Sequence, residues 1–181
     1  MNNRHTSSPS PGPESPRVRG LLGVTGIALM ADQFCKAWAF APWRDAGRLH
    51  EVLPGLYAGA QGRNYGALFS LDGVDNAPMV RIFMTLLNLV CVGIMLRWAI
   101  RDRECWRGLN AVGGGLVLGG AIGNLVDRLA LGYVRDILIL DLFPHQIFNA
   151  ADAFVILGAL LLLASLGTRR LMTLAMLPEA A

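Results

Sequence analysis

Long apolar runs separated by short polar segments dominate the chain. The first runs from Gly20 to about Ala41 and is broken by Asp32 and Lys36; the second, from Ile82 to about Ile100, is entered at Arg81 and carries Arg97. The third, Gly108 to Val126, holds no charge in 19 positions, and the fourth extends from Ala153 to Thr168, before Arg169 and Arg170. About 20 apolar residues cross the roughly 30 Å of bilayer hydrocarbon, so each run is long enough for a membrane helix, the second and fourth with snorkelling ends. Gly20 to Ala31 has the character of a signal-peptide core, but it continues into Asp32 and Lys36 instead of a small-residue cleavage site and reads as a retained helix. Residues 42–78 are too polar for membrane, and Gly, Asn and Asp punctuation around Leu49 to Tyr57 and Tyr65 to Leu71 predicts short strands or a hairpin. A second connection, Arg128 to Phe148, is mostly apolar but holds Asp136 and Asp141.

The pattern therefore predicts an all-α membrane protein with four transmembrane helices, at about 20–41, 82–100, 108–127 and 150–168. A small extracytoplasmic β-rich segment, within 42–78, is expected between helices 1 and 2. Residues 1–18, rich in Pro and Ser, cannot bury enough surface to order themselves and are expected to be a disordered cytoplasmic tail. The membrane domain then spans 19–170, and 171–181 forms a second cytoplasmic tail.

Composition strengthens this picture. Of 181 residues 54% are hydrophobic and 16% charged, with a mean hydropathy of +0.45, well beyond the roughly 45–50% apolar share of soluble domains even before the glycines are added. Sixteen Lys and Arg against thirteen Asp and Glu leave no dense cationic face, which argues against a nucleic-acid partner. Cys35, Cys91 and Cys105 lie far apart and read as small buried hydrophobes without disulfide or metal. His5, His50 and His145 fall in three segments, so no metal site and no cofactor are expected. Nine basic residues lie in the tails and in the link between helices 2 and 3, against seven spread through the other connections; the positive-inside rule places both termini in the cytoplasm.

Depth follows from counting at 1.5 Å per residue. Asp127 lies about 30 Å from Arg107 and Asp152 about 26 Å from Arg169, so both reach the outer interface; Asp32 is about 20 Å across from Arg19. Asp136 sits in the outer connection. Four acids on three elements thus converge on one membrane face, where ionisable groups are by default functional or tightly paired. Asp32 and Lys36 have the i,i+4 order of a helical ion pair. Asn124, Asp127 and Arg128 share a helix face and form either a structural cluster or part of a site. Asp152, three residues after Asn149, could equally be a carboxylate favoured at a helix start, and Asp136 a solvated loop acid. Gly115, Gly119 and Gly123 form a small-x-x-x-small row suited to helix packing and not to phosphate binding. Two carboxylates held close share a proton and can serve as base and acid in amide hydrolysis. On the residues alone Asp127, fixed by a helix, is a stronger partner for Asp152 than Asp136.

Five motifs occur in order: Asp32-Gln33-x-x-Lys36; Arg63-Asn64-Tyr65-Gly66-Ala67-Leu68-Phe69-Ser70; Gly119-Gly120-Ala121-Ile122-Gly123-Asn124-x-x-Asp127-Arg128; Gly132-Tyr133-Val134-x-Asp136; and Phe148-Asn149-x-Ala151-Asp152. With four membrane helices, the chain from about Gly20 to Gly167 closely resembles lipoprotein signal peptidase, the bacterial signal peptidase II family. The resemblance implies a multi-pass inner-membrane aspartyl endopeptidase, active near the periplasmic face. It would remove signal peptides from prolipoproteins, cutting before the cysteine that bears diacylglycerol. It places the catalytic pair on Asp136 and Asp152, with Asn64, Gly66, Asn124, Asp127, Arg128 and Asn149 lining or supporting the substrate site and Asp32, Gln33 and Lys36 anchoring outer segments to helix 1. Substrate prolipoproteins and membrane lipids are the implied partners, and globomycin-type peptides the implied inhibitors. The segment Asn64 to Ser70 is expected to cover the pair. Ile137 stands where the family usually has Phe and Leu68 where Ala is common, and the link from Asp136 to Phe148 looks short. The rival readings are an ion-coupled transporter, which prefers midplane acids and repeat-related broken helices, and a catalytically silent homologue that binds without cutting.

Overall fold

In a computed structural model, residues 16–41, 48–66 and 78–175 are described. Four helices, α1 (Pro16–Ala39), α2 (Pro78–Arg101), α3 (Leu109–Leu131) and α4 (Ala150–Ala175), alternate with two β-hairpins: β1 (His50–Leu53) with β2 (Leu56–Asn64), and β3 (Val134–Leu140) with β4 (Phe143–Phe148). All four helices are long and apolar enough to cross a membrane. Each begins or ends several residues beyond the apolar run that predicts it. The helix at the fourth run continues through Arg169 and Arg170 to Ala175. Of the expected tails, 1–15 and 176–181 lie outside the described residues.

The sheet corrects the expected layout in two ways. Its first hairpin lies in the expected β-rich segment between helices 1 and 2 but turns at Pro54-Gly55, within Leu49 to Tyr57, because Pro54 offers no N–H to a ladder and Gly55 adopts φ 76°. Its second hairpin occupies the connection between α3 and α4, which the pattern left unassigned. The four strands pair antiparallel in the order β1-β2-β3-β4, and β2 meets β3 with Gly62 opposite Asp136 and Asn64 opposite Val134. Asp136 to Phe148 is therefore a complete hairpin, with Ile137 buried beneath it.

Around the bundle the helices expose an apolar coat: Ile27, Met30 and Phe34 on α1, Ile82, Phe83, Val90 and Ile94 on α2, Ile156, Leu160 and Leu163 on α4. Such a continuous surface matches lipid, not water. Cys91 is exposed on α2 and Cys35 and Cys105 are half-buried, so none is the buried core residue expected; a thiol is apolar enough for the coat.

α3 occupies the centre because its glycines form two faces. A Cβ at Gly115 would strike Val24, at Gly119 Ala28, and at Gly123 the Asp32 carboxylate, all on α1; at Gly113 and Gly120 it would strike Gly158 and Ala151 on α4. The small-residue row thus brings α1 and α4 against α3 at backbone distance. At the end away from the sheet, Trp106 is buried against Gly114 and meets Trp98 edge-on at 4.6 Å between ring centroids. At the sheet end Arg63 lies over Tyr133 and Arg81 over Tyr65, with the tyrosine rings 5.6 Å apart.

Candidate active site

Two elements that start beside α3 deliver the paired acids. α3 stops at Gly132, whose left-handed conformation (φ 79°) lets its N–H bond Arg128 O at 3.1 Å, and the chain re-emerges at once as β3 carrying Asp136. Asn149 ends β4 and caps α4. Its Oδ1 accepts the Asp152 N–H at 3.0 Å, while Asp152 Oδ2 accepts the Asn149 N–H at 3.3 Å, a reciprocal capping box with Asp in the usual Glu position. Asp32 reaches from α1 to accept the Ala151 N–H at 2.9 Å, so the first turn of α4 is pinned by two side chains from different elements.

Three asparagines are oriented by groups that can only donate, and each turns its amide NH2 toward the acids. Gly66 N–H donates to Asn64 Oδ1 at 2.9 Å, and Asn64 Nδ2 donates to Asp136 Oδ2 at 3.0 Å. With its own oxygen held by Asp152 N–H, Asn149 donates from Nδ2 to Asp136 Oδ1 at 2.6 Å. Lys36 Nζ donates to Asn124 Oδ1 at 3.0 Å, and Asn124 Nδ2 donates to Asp152 Oδ1 at 2.8 Å. Ammonium and backbone N–H groups cannot accept, which fixes these amides. All four oxygens of Asp136 and Asp152 therefore accept an N–H from the protein.

The two acids differ in setting. Asp136 is 3% exposed, whereas Asp152 is half-buried at the positive end of the α4 dipole. Burial, with the Asp152 carboxylate adding to it, raises the Asp136 carboxyl from 3.8 to about 7; hydrogen bonds from Asn149 and Asn64 and the Lys36 charge oppose the rise.

Behind the pair lies a second cluster, with Asp32, Lys36 and Asp127 wholly buried. Lys36 Nζ is 2.7 Å from Asp32 and 3.4 Å from Asp127. Asp127 accepts from Arg135 at Oδ1 (2.7 Å from a terminal guanidinium nitrogen) and at Oδ2 (2.9 Å from the backbone N–H), and from Gln33 Nε2 at 3.3 Å. Every residue expected at the site falls in this region, and Asp32, Lys36, Asn124, Asp152, Asn149, Asp136 and Asn64 form one unbroken chain of polar contacts. Asp127 is taken by Arg135 and Lys36, and the buried Arg128 Nε has no hydrogen-bond partner among the described residues. It lies beside a groove of about 340 Å³ between the sheet-side ends of α2 and α3, lined in part by Arg81 and Thr85. Ala67 to Ser70 lie outside the described residues, including the Leu68 departure and most of the expected cover.

Sequence reasoning missed two residues. Arg135 occupies the variable position of its motif and reads as one more outer cation. Gly62, opposite Asp136, has its Cβ direction closed by Ile147 and the Asp136 Cβ; a glycine within a strand that reads as punctuation is the one signal that marked it. Among the described residues no three His, Cys, Asp or Glu converge as metal ligands.

A family model described as Signal peptidase (SPase) II matches residues 24–167. A lipoprotein signal peptidase from Nostoc sp. is 38% identical over 141 residues, covering 77% of this chain and 85% of that protein. Another, from Streptococcus thermophilus, is 31% identical over 145 residues, covering 79% and 86%. A bacterial membrane enzyme solved by the in meso method at 1.9 Å resolution is 25% identical, with a TM-score of 0.66 over 81% of this chain and 91% of that chain. With a match of that extent, four membrane-length helices and the polar site at their sheet-bearing ends, this chain is a multi-pass membrane peptidase and belongs to the signal peptidase II family.

Proposed function

We propose that the protein is an intramembrane aspartyl endopeptidase that removes the signal peptide from diacylglyceryl-modified prolipoproteins, cutting before the lipidated cysteine, with Asp136 and Asp152 as the reacting pair. Two carboxylates that share an environment hold one proton between them. Asp136, the deeper acid, keeps that proton, and Asp152, closer to water and at a helix start, acts as base. Asp152 takes a proton from the attacking water as the C–O bond forms, and Asp136 donates to the carbonyl oxygen as charge develops there. Collapse of the tetrahedral intermediate breaks the C–N bond. The proton held by Asp152 passes to the leaving amine, and the hydroxyl proton returns to Asp136 as the new carbonyl forms.

The observation that carries this reading is the set of four N–H donors to the four carboxylate oxygens, three from asparagine amides whose orientation is fixed and the fourth the Asn149 backbone N–H. Such preorganised dipoles cost no rearrangement during reaction. Arg128, with its unpartnered Nε, and the adjoining groove serve the substrate backbone. Asn64, Gly66, Asn124 and Asn149 align the pair, while Asp32, Gln33, Lys36 and Asp127 support it. The domain spans about 19–170 in the inner membrane, with tails and both termini cytoplasmic and the site near the periplasmic face; the arginine bias supports that orientation. Globomycin-type peptides inhibit by occupying the substrate site.

The test is cleavage of a diacylglyceryl-modified prolipoprotein by purified wild type and by Asp136→Asn, Asp152→Asn and Asp127→Asn, each shown to be folded in detergent. Loss confined to the first two, with residual activity in the third, is expected. Cleavage by Asp136→Asn with none by Asp127→Asn moves the pair to Asp127 and Asp152, and inactivity of folded wild type overturns the function.

A further inference from the structure

We propose that Arg135 is a positioning residue for the reacting pair, holding Asp136 through strand β3 and Asp152 through Asp127, Lys36 and Asn124. The inference rests on Asp136 and Asp152 being that pair. Successive side chains on a strand point to opposite faces, so an anchor on residue 135 sets the rotation of β3 and hence the direction of Asp136. The anchor is dense. Arg135 gives Asp127 its backbone N–H at 2.9 Å, its Nε at 3.3 Å and a terminal nitrogen at 2.7 Å, and donates from a terminal nitrogen to Gln33 Oε1 at 2.9 Å. One side chain thus joins β3 to α3 and α1.

The second route is electrostatic. Asp32, Lys36, Asp127 and Arg135 form a cluster of two anions and two cations, with Asp32, Lys36 and Asp127 wholly buried and the Arg135 side chain 16% exposed. Without the guanidinium, Lys36 faces two buried carboxylates alone. An uncompensated buried anion is costly, and the ammonium, now 3.4 Å from Asp127, moves toward it and away from Asn124 Oδ1. That frees the Asn124 amide, whose NH2 holds Asp152 at 2.8 Å. Lysine at 135 preserves charge but lacks the planar fork that spans both Asp127 oxygens and Gln33.

The experiment measures kcat and KM on a lipidated prolipoprotein for the full chain as wild type, Arg135→Lys, Arg135→Gln, Asp127→Asn and Arg135→Gln/Asp127→Asn, with the folded fraction counted for each. Contacting groups in one network couple by a few-fold to about a hundredfold. Arg135→Gln is expected to lower kcat by about ten- to a hundredfold with KM within about twofold, and Arg135→Lys to fall between it and wild type. The double variant, in which the cluster is again neutral, is expected to exceed Arg135→Gln by about threefold or more. A wild-type kcat in Arg135→Gln, a change confined to KM, or a double variant whose loss is the product of the two single losses overturns the proposal. If Arg135→Gln does not fold, Arg135→Lys decides by the same kcat criterion. Inactive folded wild type overturns the peptidase reading itself and is distinguishable from all of these outcomes.

Discussion

Asn124 donates to Asp152 Oδ1 at 2.8 Å and cannot turn round, because Lys36 holds the other end of its amide at 3.0 Å. The ammonium has no lone pair to offer, so the NH2 must face the acid. A lysine three helices away from Asp152 in the chain thereby dictates what Asp152 meets.

Asn124→Asp reverses that contact, placing an acceptor and a second negative charge against Asp152. Cleavage by the folded variant is expected to fall by more than about a hundredfold, and further than in Asn124→Ala, which only loses the donor. Equal activity in the two variants would show that the donor's direction is irrelevant.

The pH profile follows from the raised carboxyl of Asp136. In the folded protein it holds its proton to about 7, against 3.8 ordinarily. Cleavage that requires the proton is retained below about pH 7 and declines tenfold per pH unit above it. Stability has the same sign: the folded state binds the extra proton between the two values, so this group's contribution is full at low pH and is lost as pH rises through about 7. A kcat/KM profile that stays flat to pH 9 would contradict the assignment of the proton to Asp136.

Asn149 and Asn64 both donate to Asp136, but only Asn149 also caps α4. Asn149→Ala should lower thermal stability by about 0.5–2 kcal/mol through the lost cap and abolish most activity, whereas Asn64→Ala should lose about tenfold or more in kcat/KM with a smaller change in melting. Thermal scans beside kinetics separate the two. Equal melting shifts would mean that the cap carries little weight.

At Gly123 there is no room for a methyl group, since its Cβ would stand 2.5 Å from Asp32 Oδ2. Gly123→Ala must displace either the Asp32–Lys36 pair or α1 itself, and a loss of about 1–3 kcal/mol is expected. Gly93, around which nothing lies within 4 Å, is the control: Gly93→Ala should melt at or above the wild-type temperature.

The helices were legible because crossing hydrocarbon demands a property that composition alone displays, and the depth count brought Asp127 and Asp152 to one face before any contact was known. The strands between α3 and α4 were not. Val134 to Leu140 carries Arg135 and Asp136 ahead of four consecutive apolar residues, with no strand alternation, and its identity is set by β2, some seventy residues earlier, which no local pattern can display. For the same reason the residues alone favoured Asp127 over Asp136. Helical placement was visible, but the occupation of both Asp127 oxygens by Arg135, Lys36 and Gln33 was not. The family motif pointed to Asp136, and the hydrogen-bond pattern supports it. Arg135 itself looked like one outer arginine among several because its partners lie on two other elements.

The four charges of this cluster also bear on how the chain enters a bilayer during synthesis. Asp32 and Lys36 sit one turn apart on α1 and touch at 2.7 Å, so the first helix can insert with this pair mutually neutralised before its later neighbours exist. Asp127 meets Arg135 only eight residues on, also at 2.7 Å. The third helix can therefore bring its acid in with its own counter-ion as it leaves the ribosome. Neither Asp32 nor Asp127 has to wait in lipid without a counter-ion, which costs several kcal/mol at such depth. Assembly then joins two electrically complete halves.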